Sequence, residues 1–507
     1  MPTGRKANWP QQYILLVSGK ILVLVLLFFT TGISEQFQHT RQLGTATGDT
    51  DSYFLPIDHW RAGGPYAADP YRLESYAGRM PGYGAVYAAA RLACAPPSAR
   101  NVVVIVQVLL DVLTSLLLLR MVRALFTGQL LRWLAAALLG FSAYAAVYDY
   151  RLVTESISLS AVIICLYGYY RAWAAPRSAG WLLLSGIAVA WAVFLKSYLG
   201  LLLVGLPLLA IGIGGRAAWR TRQYWVTFIG RHLVWVLPFV VADSLWLARN
   251  YALYHGRFVP LQIGLLAGYD VPESNLYLRQ YVVSWGGNPT YWEPEAHIRW
   301  FVDSTRTPPP FPAVAFTRAY PPDSIVALKA AFQRAGDHQL PPAHRRAIDQ
   351  NLAVRLQAAT AAQRREHPGQ YYVRTTTGLL RTFLFHNGSY NLSRIPFAQA
   401  SLPLKLLRLF YTLLFALVVV AGIVGAMFIG RRRAWASLFV VPIVLCIGLF
   451  PVVFRTPEIR YLALAYPFLS ICAAFMLATI AGKWPRRQPD TAPAKHFAAG
   501  WPQANRR

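Results

Sequence analysis

Apolar runs close to the ~20 residues that a helix needs to cross a bilayer recur along the chain at 13–33, 102–119, 130–148, 156–170, 180–195, 198–214, 225–247, 404–429, 435–453 and 461–481. The pattern predicts an α-helical polytopic membrane protein with about ten transmembrane helices. The first run follows Arg5 and Lys6, but no small-residue cleavage pattern succeeds it, so it reads as a retained span with Lys20 snorkelling toward the headgroups. Two long polar segments, 34–101 and 248–403, interrupt the runs, and the polar chemistry belongs there. The first reads as irregular as far as Arg79, with a short interfacial helix over Tyr83–Leu92.

The second long segment is proline-rich, with Pro308-Pro309-Pro310, yet it carries helical periodicity. Asp323 suits a helix cap, Ile325, Leu328 and Phe332 share a face, and Gly336 ends the pattern. Ile348, Leu352, Leu356 and Ala359 repeat it before His367-Pro368-Gly369. From Tyr371 to Phe385, Leu379 and Phe383 fall on one side and Arg374 and Arg381 on another, as in a helix lying flat on a membrane. The expected organisation is a transmembrane region over 1–247 that includes the first loop, a small, mainly helical external domain over 248–403, transmembrane helices over 404–481, and a basic tail over 482–507.

Composition sharpens this picture. Of 507 residues, 55% are hydrophobic and 14% charged, and Lys+Arg exceed Asp+Glu by 49 − 21 = +28. A water-soluble globule is excluded by that balance. The bases sit mostly at the ends of apolar runs, which points to membrane topology and anionic headgroups and away from nucleic acid. With the N-terminus cytosolic, the short internal loops hold Arg120, Arg123, Arg171, Arg177, Arg216, Arg220, Arg222, Arg431, Arg432 and Arg433. The short external loops hold only Arg151, Lys196, Arg455 and Arg460, and Lys483, Arg486 and Arg487 of the tail fall inside. Both termini are therefore expected in the cytosol and both long segments outside, in a multi-pass cell membrane protein. Cys94, Cys165, Cys446 and Cys472 are too scattered for a disulfide framework or a zinc site.

Several residues could carry chemistry at the external level. Gly48-Asp49-Thr50-Asp51-Ser52-Tyr53 places two acids just beyond the first span, either a general base near a lipid headgroup or a solvated loop. Asp49-x-Asp51 also has the spacing of a metal-binding pair, so a divalent metal is allowed without being required. Asp149 lies in the turn before the fourth run and Glu155 at its start, at the mouth of a polar cavity or simply at the positive end of a helix dipole. Asp111 and Asp243 lie deeper, as interhelical hydrogen-bond partners or functional acids. Arg79, Lys196, Arg249, Arg455 and Arg460 all stand at one depth, against the topogenic bias, and are candidates to hold a phosphate. Asn387-Gly388-Ser389 and Asn391-Leu392-Ser393 are formal glycosylation sequons. No phosphate loop, His-Glu-x-x-His or Gly-x-Ser-x-Gly motif occurs.

The ordered set of an acidic first-loop motif, Arg79-Met80-Pro81-Gly82-Tyr83, Thr154-Glu155, Leu195-Lys196, Arg249-Asn250-Tyr251 and Glu458-Ile459-Arg460-Tyr461 with Pro467 resembles the GT-C membrane glycosyltransferases. The nearest group is the bacterial proteins related to protein O-mannosyltransferases, glycosyltransferase family 39, and the lipid A aminoarabinose transferases. The resemblance spans residues 13–481. It implies a hexosyl or pentosyl transferase that moves a sugar from a polyprenyl-phosphate donor to an acceptor at the outer face, usually with inversion. That family commonly carries Asp-Glu-x-x-Tyr in the first loop with the leading Asp as base. Asp49 takes that role here, Thr50 replaces the Glu, Asp51 is the alternative carboxylate and Tyr53 matches the Tyr. Glu155 is a third acid, Lys196, Arg249, Arg455, Arg460 and Arg79 would bind the donor phosphate, and Tyr53, Asp149, Asn250 and Tyr461 would contact donor or acceptor. A flippase or transporter using Asp111 and Asp243, or a lipid-linked glycan ligase or polymerase, are the competing classes.

Overall fold

The computed structural model describes residues 9–482 apart from 72, 175–178, 263–271, 288–295, 386–391, 394, 433–434 and 456–457. Arg5, Lys6, Arg177, Arg433, the sequon residues Asn387 and Asn391, and the basic tail from Lys483 onward lie outside the described residues. What is described is helical; no β-strand occurs among these residues, and an isolated parallel bridge joins Thr45 to Arg151. In chain order the helices are α1 (Trp9–Thr30), α2 (Ile33–Thr40), α3 (Thr50–Arg61), α4 (Gly82–Arg91), α5 (Pro96–Leu125), α6 (Gln129–Gly140), α7 (Ala143–Ala146), α8 (Glu155–Ala174), α9 (Ala179–Leu195), α10 (Leu202–Trp219) and α11 (Arg222–Leu253). They continue with α12 (Ser274–Ser284), α13 (Ala296–Val302), α14 (Pro322–Ala335), α15 (Pro342–Glu366), α16 (Thr376–Phe385), α17 (Leu402–Arg432), α18 (Val440–Ile447) and α19 (Tyr466–Ile480).

Every predicted apolar run falls on a helix. Among the described residues, eight are long and apolar enough to cross a membrane, and α9 and α19 are shorter apolar helices matching the runs at 180–195 and 461–481. The protein is thus a polytopic helical membrane protein. The chain divides into two compact units, one of 1–262, 387–445 and 463–507, the other of 263–386 and 446–462.

In the first unit α8 packs on α9, α9 on α11, α5 on α8, α1 on α6 and α17 on α19. Apolar side chains gain little by leaving lipid for protein, so such helices associate through close backbone packing. Gly425 shows the device: a Cβ there would collide with the Cys472 carbonyl, so its absence lets α17 and α19 touch. The first long loop is more ordered than its sequence suggests. It contains α2 and α3, and α3 is held by stacking of Phe54 on Tyr83 and Tyr87, with centroids 5.5 and 4.1 Å apart. Pro56 inside α3 hides this helix from a propensity reading. Helix α4 appears where expected, but it is packed against α3, α5 and α9 and buries Tyr83 and Tyr87.

Lys20 does not snorkel. It is buried and forms an ion pair of 2.5 Å with Asp111 in α5.

In the second unit both periodic patterns fall on helices, and their apolar faces meet. Ile325, Leu328 and Phe332 of α14 and Leu352, Leu356 and Ala359 of α15 share one apolar core with α12 and α13. Asp323 lies in the first turn of α14, two residues beyond the N-cap Pro321, where it still opposes the positive helix end. A π-helical stretch, Gly369–Thr375, with Arg374 exposed, leads into α16, which buries Leu379 and Phe383 and leaves Arg381 exposed.

Candidate functional site

Asp49 stands immediately before α3, on a loop stitched to the turn between α7 and α8. Thr45 N–H donates to the Tyr150 carbonyl (2.7 Å), Leu152 N–H to the Thr45 carbonyl (3.1 Å) and the Thr50 hydroxyl to the Leu152 carbonyl (2.9 Å). These bonds satisfy backbone groups that a free loop would leave to water, and they fix where the acid points. The Asp49 carboxylate accepts from Arg79 Nη2 at 3.3 Å, and the two side chains are only 14% and 17% exposed. Arg79 is itself fixed by donating from Nε to Ser52 Oγ (3.0 Å) and by lying over the Tyr53 ring, 4.7 Å from its centroid. Asp51 differs sharply: its side chain is 65% exposed and reaches Arg100 at 3.5 Å.

The second carboxylate is Glu155, the first residue of α8. It pairs with Lys196 Nζ at 3.1 Å, just past the end of α9, and both side chains are buried. The segment bearing Arg79 runs directly over the end of α9, because a Cβ on Gly82 would collide with the Phe194 carbonyl. Trp191 Nε1 donates to the Gly82 carbonyl at 3.0 Å and closes the contact. Tyr83 continues the connection: its ring lies 5.3 Å from that of Tyr53, and its hydroxyl donates to Gln107 Oε1 at 2.7 Å. Burial, with Tyr53 and Glu155 nearby, holds that hydroxyl well above its usual pKa, so it serves as a hydrogen-bond donor. Gln107 Nε2 in turn reaches the carbonyls of Asp149 (2.8 Å) and Arg151 (3.0 Å). Asp49, Arg79, Tyr53, Glu155 and Lys196 therefore share one neighbourhood, and Asp149, joined to it through Gln107, accepts from Ser156 Oγ on its carboxylate at 2.5 Å.

Arg249 reaches this neighbourhood through Tyr66, whose hydroxyl is raised well above its usual range by burial, with Arg249 and Arg79 both close enough to oppose that rise. The Arg249 guanidinium donates to the Tyr76 carbonyl and Asn250 Oδ1, each at 2.9 Å, and to the Tyr66 carbonyl at 3.1 Å, and it lies 4.4 Å from the Trp246 ring centroid. Asn250 donates to the Val259 carbonyl at 2.9 Å. Asp243, expected inside the bundle, is on the same helix and half-buried.

Arg455, Arg460 and Tyr461 belong to the second unit. Arg455 takes a left-handed backbone (φ 55°), donates to the Tyr371 carbonyl at 2.9 Å and lies 3.9 Å from the Tyr371 ring centroid. Burial pulls its guanidinium pKa below the usual range. Arg460 bonds Glu458 at 2.6 Å, and Tyr461 stacks on Phe450 with centroids 4.0 Å apart.

Gln107 and Ser156 were not singled out by the sequence, and Tyr83 entered only as the last residue of a motif and the first of a short helix. A Gln in the middle of an apolar run was the one available signal, since an amide there needs partners. Among the described residues no three His, Cys, Asp or Glu side chains group as a bound metal would need.

Fold and site together define a multi-pass helical membrane protein with sheltered carboxylate–cation pairs gathered on one loop cluster. Residues 97–241 match the family described as dolichyl-phosphate-mannose-protein mannosyltransferase. That match supports a GT-C superfamily glycosyltransferase, the resemblance already carried by the motifs. No curated protein matches the chain. Among solved structures, the chain is similar to the archaeal oligosaccharyltransferase AglB from Archaeoglobus fulgidus, in complex with an inhibitory peptide and a dolichol-phosphate, at 12% identity and a TM-score of 0.42, over 94% of this chain and 51% of that one. It is also similar to ArnT from Cupriavidus metallidurans bound to undecaprenyl phosphate, at 15% identity and a TM-score of 0.33, over 92% of this chain and 78% of that one. The chain thus spans about half the length of the oligosaccharyltransferase.

Proposed function

We propose that the protein transfers a sugar from a polyprenyl-phosphate carrier to an acceptor at the external face of the membrane, with Asp49 as general base. The observation that carries this reading is the sheltered Asp49–Arg79 pair beside the buried Glu155–Lys196 pair. The arginine bias of the short loops supports the external placement. An acceptor hydroxyl is a poor nucleophile, and a carboxylate within reach takes its proton as the new bond to the anomeric carbon forms. As that bond forms, the bond from the anomeric carbon to the phosphate oxygen breaks, and the carrier phosphate leaves with the electron pair. Preorganised cations stabilise the growing charge best where water is scarce. Arg79 is suited to this task, because a guanidinium that already holds Asp49 can turn toward the phosphate and free the carboxylate for the proton. Lys196 is the second cation, with Glu155 holding it in place.

The sheltering of Asp49 favours it over Asp51, which faces solvent. Arg249 spends its donors on carbonyls and so supports the wall of the site in this reading. The test uses membranes containing the protein and a radiolabelled polyprenyl-phosphate sugar. Label should move from the lipid to an acceptor with the parent and not with Asp49→Asn at equal expression. Retained transfer in Asp49→Asn would overturn the assignment. Transfer in detergent, without two compartments, separates the reading from transport.

A further inference from the structure

Lys20, Asp111, Asp149 and Ser156 meet inside the first unit although they come from α1, α5, the α7–α8 turn and α8. The Lys20–Asp111 pair is 2.5 Å long with side chains 2% and 7% exposed. Asp149 lies within electrostatic reach of both, is itself 1% exposed and accepts the Ser156 hydroxyl on Oδ1 at 2.5 Å, while its buried Oδ2 has no hydrogen-bond partner among the described residues. Buried ion pairs are weak devices for stability, because well-packed apolar residues of like volume often do as well; fixing a register is their best-attested use. The register fixed here is that of the first turn of α8. Ser156 follows Glu155, so the bond that holds Ser156 also holds the carboxylate that pairs with Lys196.

We propose that Lys20, Asp111, Asp149 and Ser156 form a positioning relay that sets the Glu155–Lys196 pair. None of the four touches substrate. Lys20, paired with Asp111, draws the Asp149 carboxylate by charge, Asp149 anchors the start of α8 through Ser156, and Glu155 then meets Lys196 at one distance. The consequence for catalysis rests on the reading of this neighbourhood as the active site, but the geometric claim does not.

The test reads the amine of Lys196 directly. Full-length protein in membranes is treated with an amine-selective acylating reagent, and modification of Lys196 is followed by mass spectrometry with Lys329 of the second unit as internal reference. In the parent, Glu155 shields Lys196 and acylation is slow. Asp149→Asn, Ser156→Ala and Lys20→Met should each raise its rate several-fold, while the charge-reversed pair Lys20→Asp with Asp111→Lys should return it toward the parent rate. With the transfer assay, Ser156→Ala should lower kcat about tenfold with the donor KM unchanged, equivalent to ~1.4 kcal/mol of transition-state stabilisation. Unchanged Lys196 acylation in Ser156→Ala and Asp149→Asn overturns the relay. A Lys196 response in a protein that transfers no sugar upholds the relay and removes the active-site reading. If Asp149→Asn fails to assemble, Ser156→Ala, which removes a single oxygen atom, decides the matter.

Discussion

Asp49 and Arg79 are bound to each other at 3.3 Å, thirty residues apart in sequence, and each has less than a fifth of its side chain in contact with solvent. In the reading proposed above, the Asp49 carboxylate is oriented and sheltered for taking a proton, and Arg79 beside it is the cation that would serve a departing phosphate. The first expectation follows from this pair. Asp49→Asn keeps the shape and removes the base, so transfer should fall by about 10²–10⁴-fold, the usual contribution of a positioned base. Asp51→Asn, at the exposed rim, should retain most activity. Initial rates in membranes at saturating donor check both.

Glu155 and Lys196 form the more deeply buried pair. Removing one partner leaves an uncompensated charge, which costs on the order of 3–5 kcal/mol, whereas removing both costs far less. Lys196→Met should therefore lower the thermal unfolding midpoint in detergent, and Lys196→Met combined with Glu155→Gln should recover much of the loss. Transfer should stay low in the double variant, because the cation is gone.

Arg249 holds two backbone carbonyls and an amide oxygen in a planar fork over Trp246. A lysine ammonium cannot reproduce that fork. Arg249→Lys should destabilise the protein by about 1–3 kcal/mol, the range for a buried acceptor left unsatisfied, with donor dependence unchanged. A raised donor KM without loss of stability would return Arg249 to the phosphate site.

Gly82 sits where the loop bearing Arg79 crosses the end of α9. Gly82→Ala should push the two segments apart at an overpacking cost of about 1–3 kcal/mol. Because the displaced segment carries Arg79, transfer should fall more than the unfolding midpoint suggests, and Arg79→Lys in the same background should add little further loss.

The apolar runs were legible because a bilayer demands an unbroken stretch of fixed length, and each one lands on a helix. The core faces of α14 and α15 were legible for a similar reason, since period alone selects Leu328, Phe332, Leu352 and Leu356. Helices α2 and α3 were not, because they are short, polar and, in α3, interrupted by Pro56. Helix α3 is held by aromatic rings on α4, and α2 packs on α1. Lys20 shows the same limit within a span. A run of apolar residues reveals that a lysine is unusual, but its partner Asp111 is 91 positions away and on another helix.

By itself the sequence determined where the long apolar helices and the periodic helices of the second unit run, and that acids and bases stand just beyond the apolar runs at Asp49, Glu155 and Lys196. Those are properties of neighbours along the chain. Only the tertiary structure decided that Asp49 is sheltered while Asp51, two residues on, faces solvent, and that Lys20 turns inward to Asp111. Burial and charge pairing act through space, and the packing of α3, α4, α5, α8 and α9 sets them.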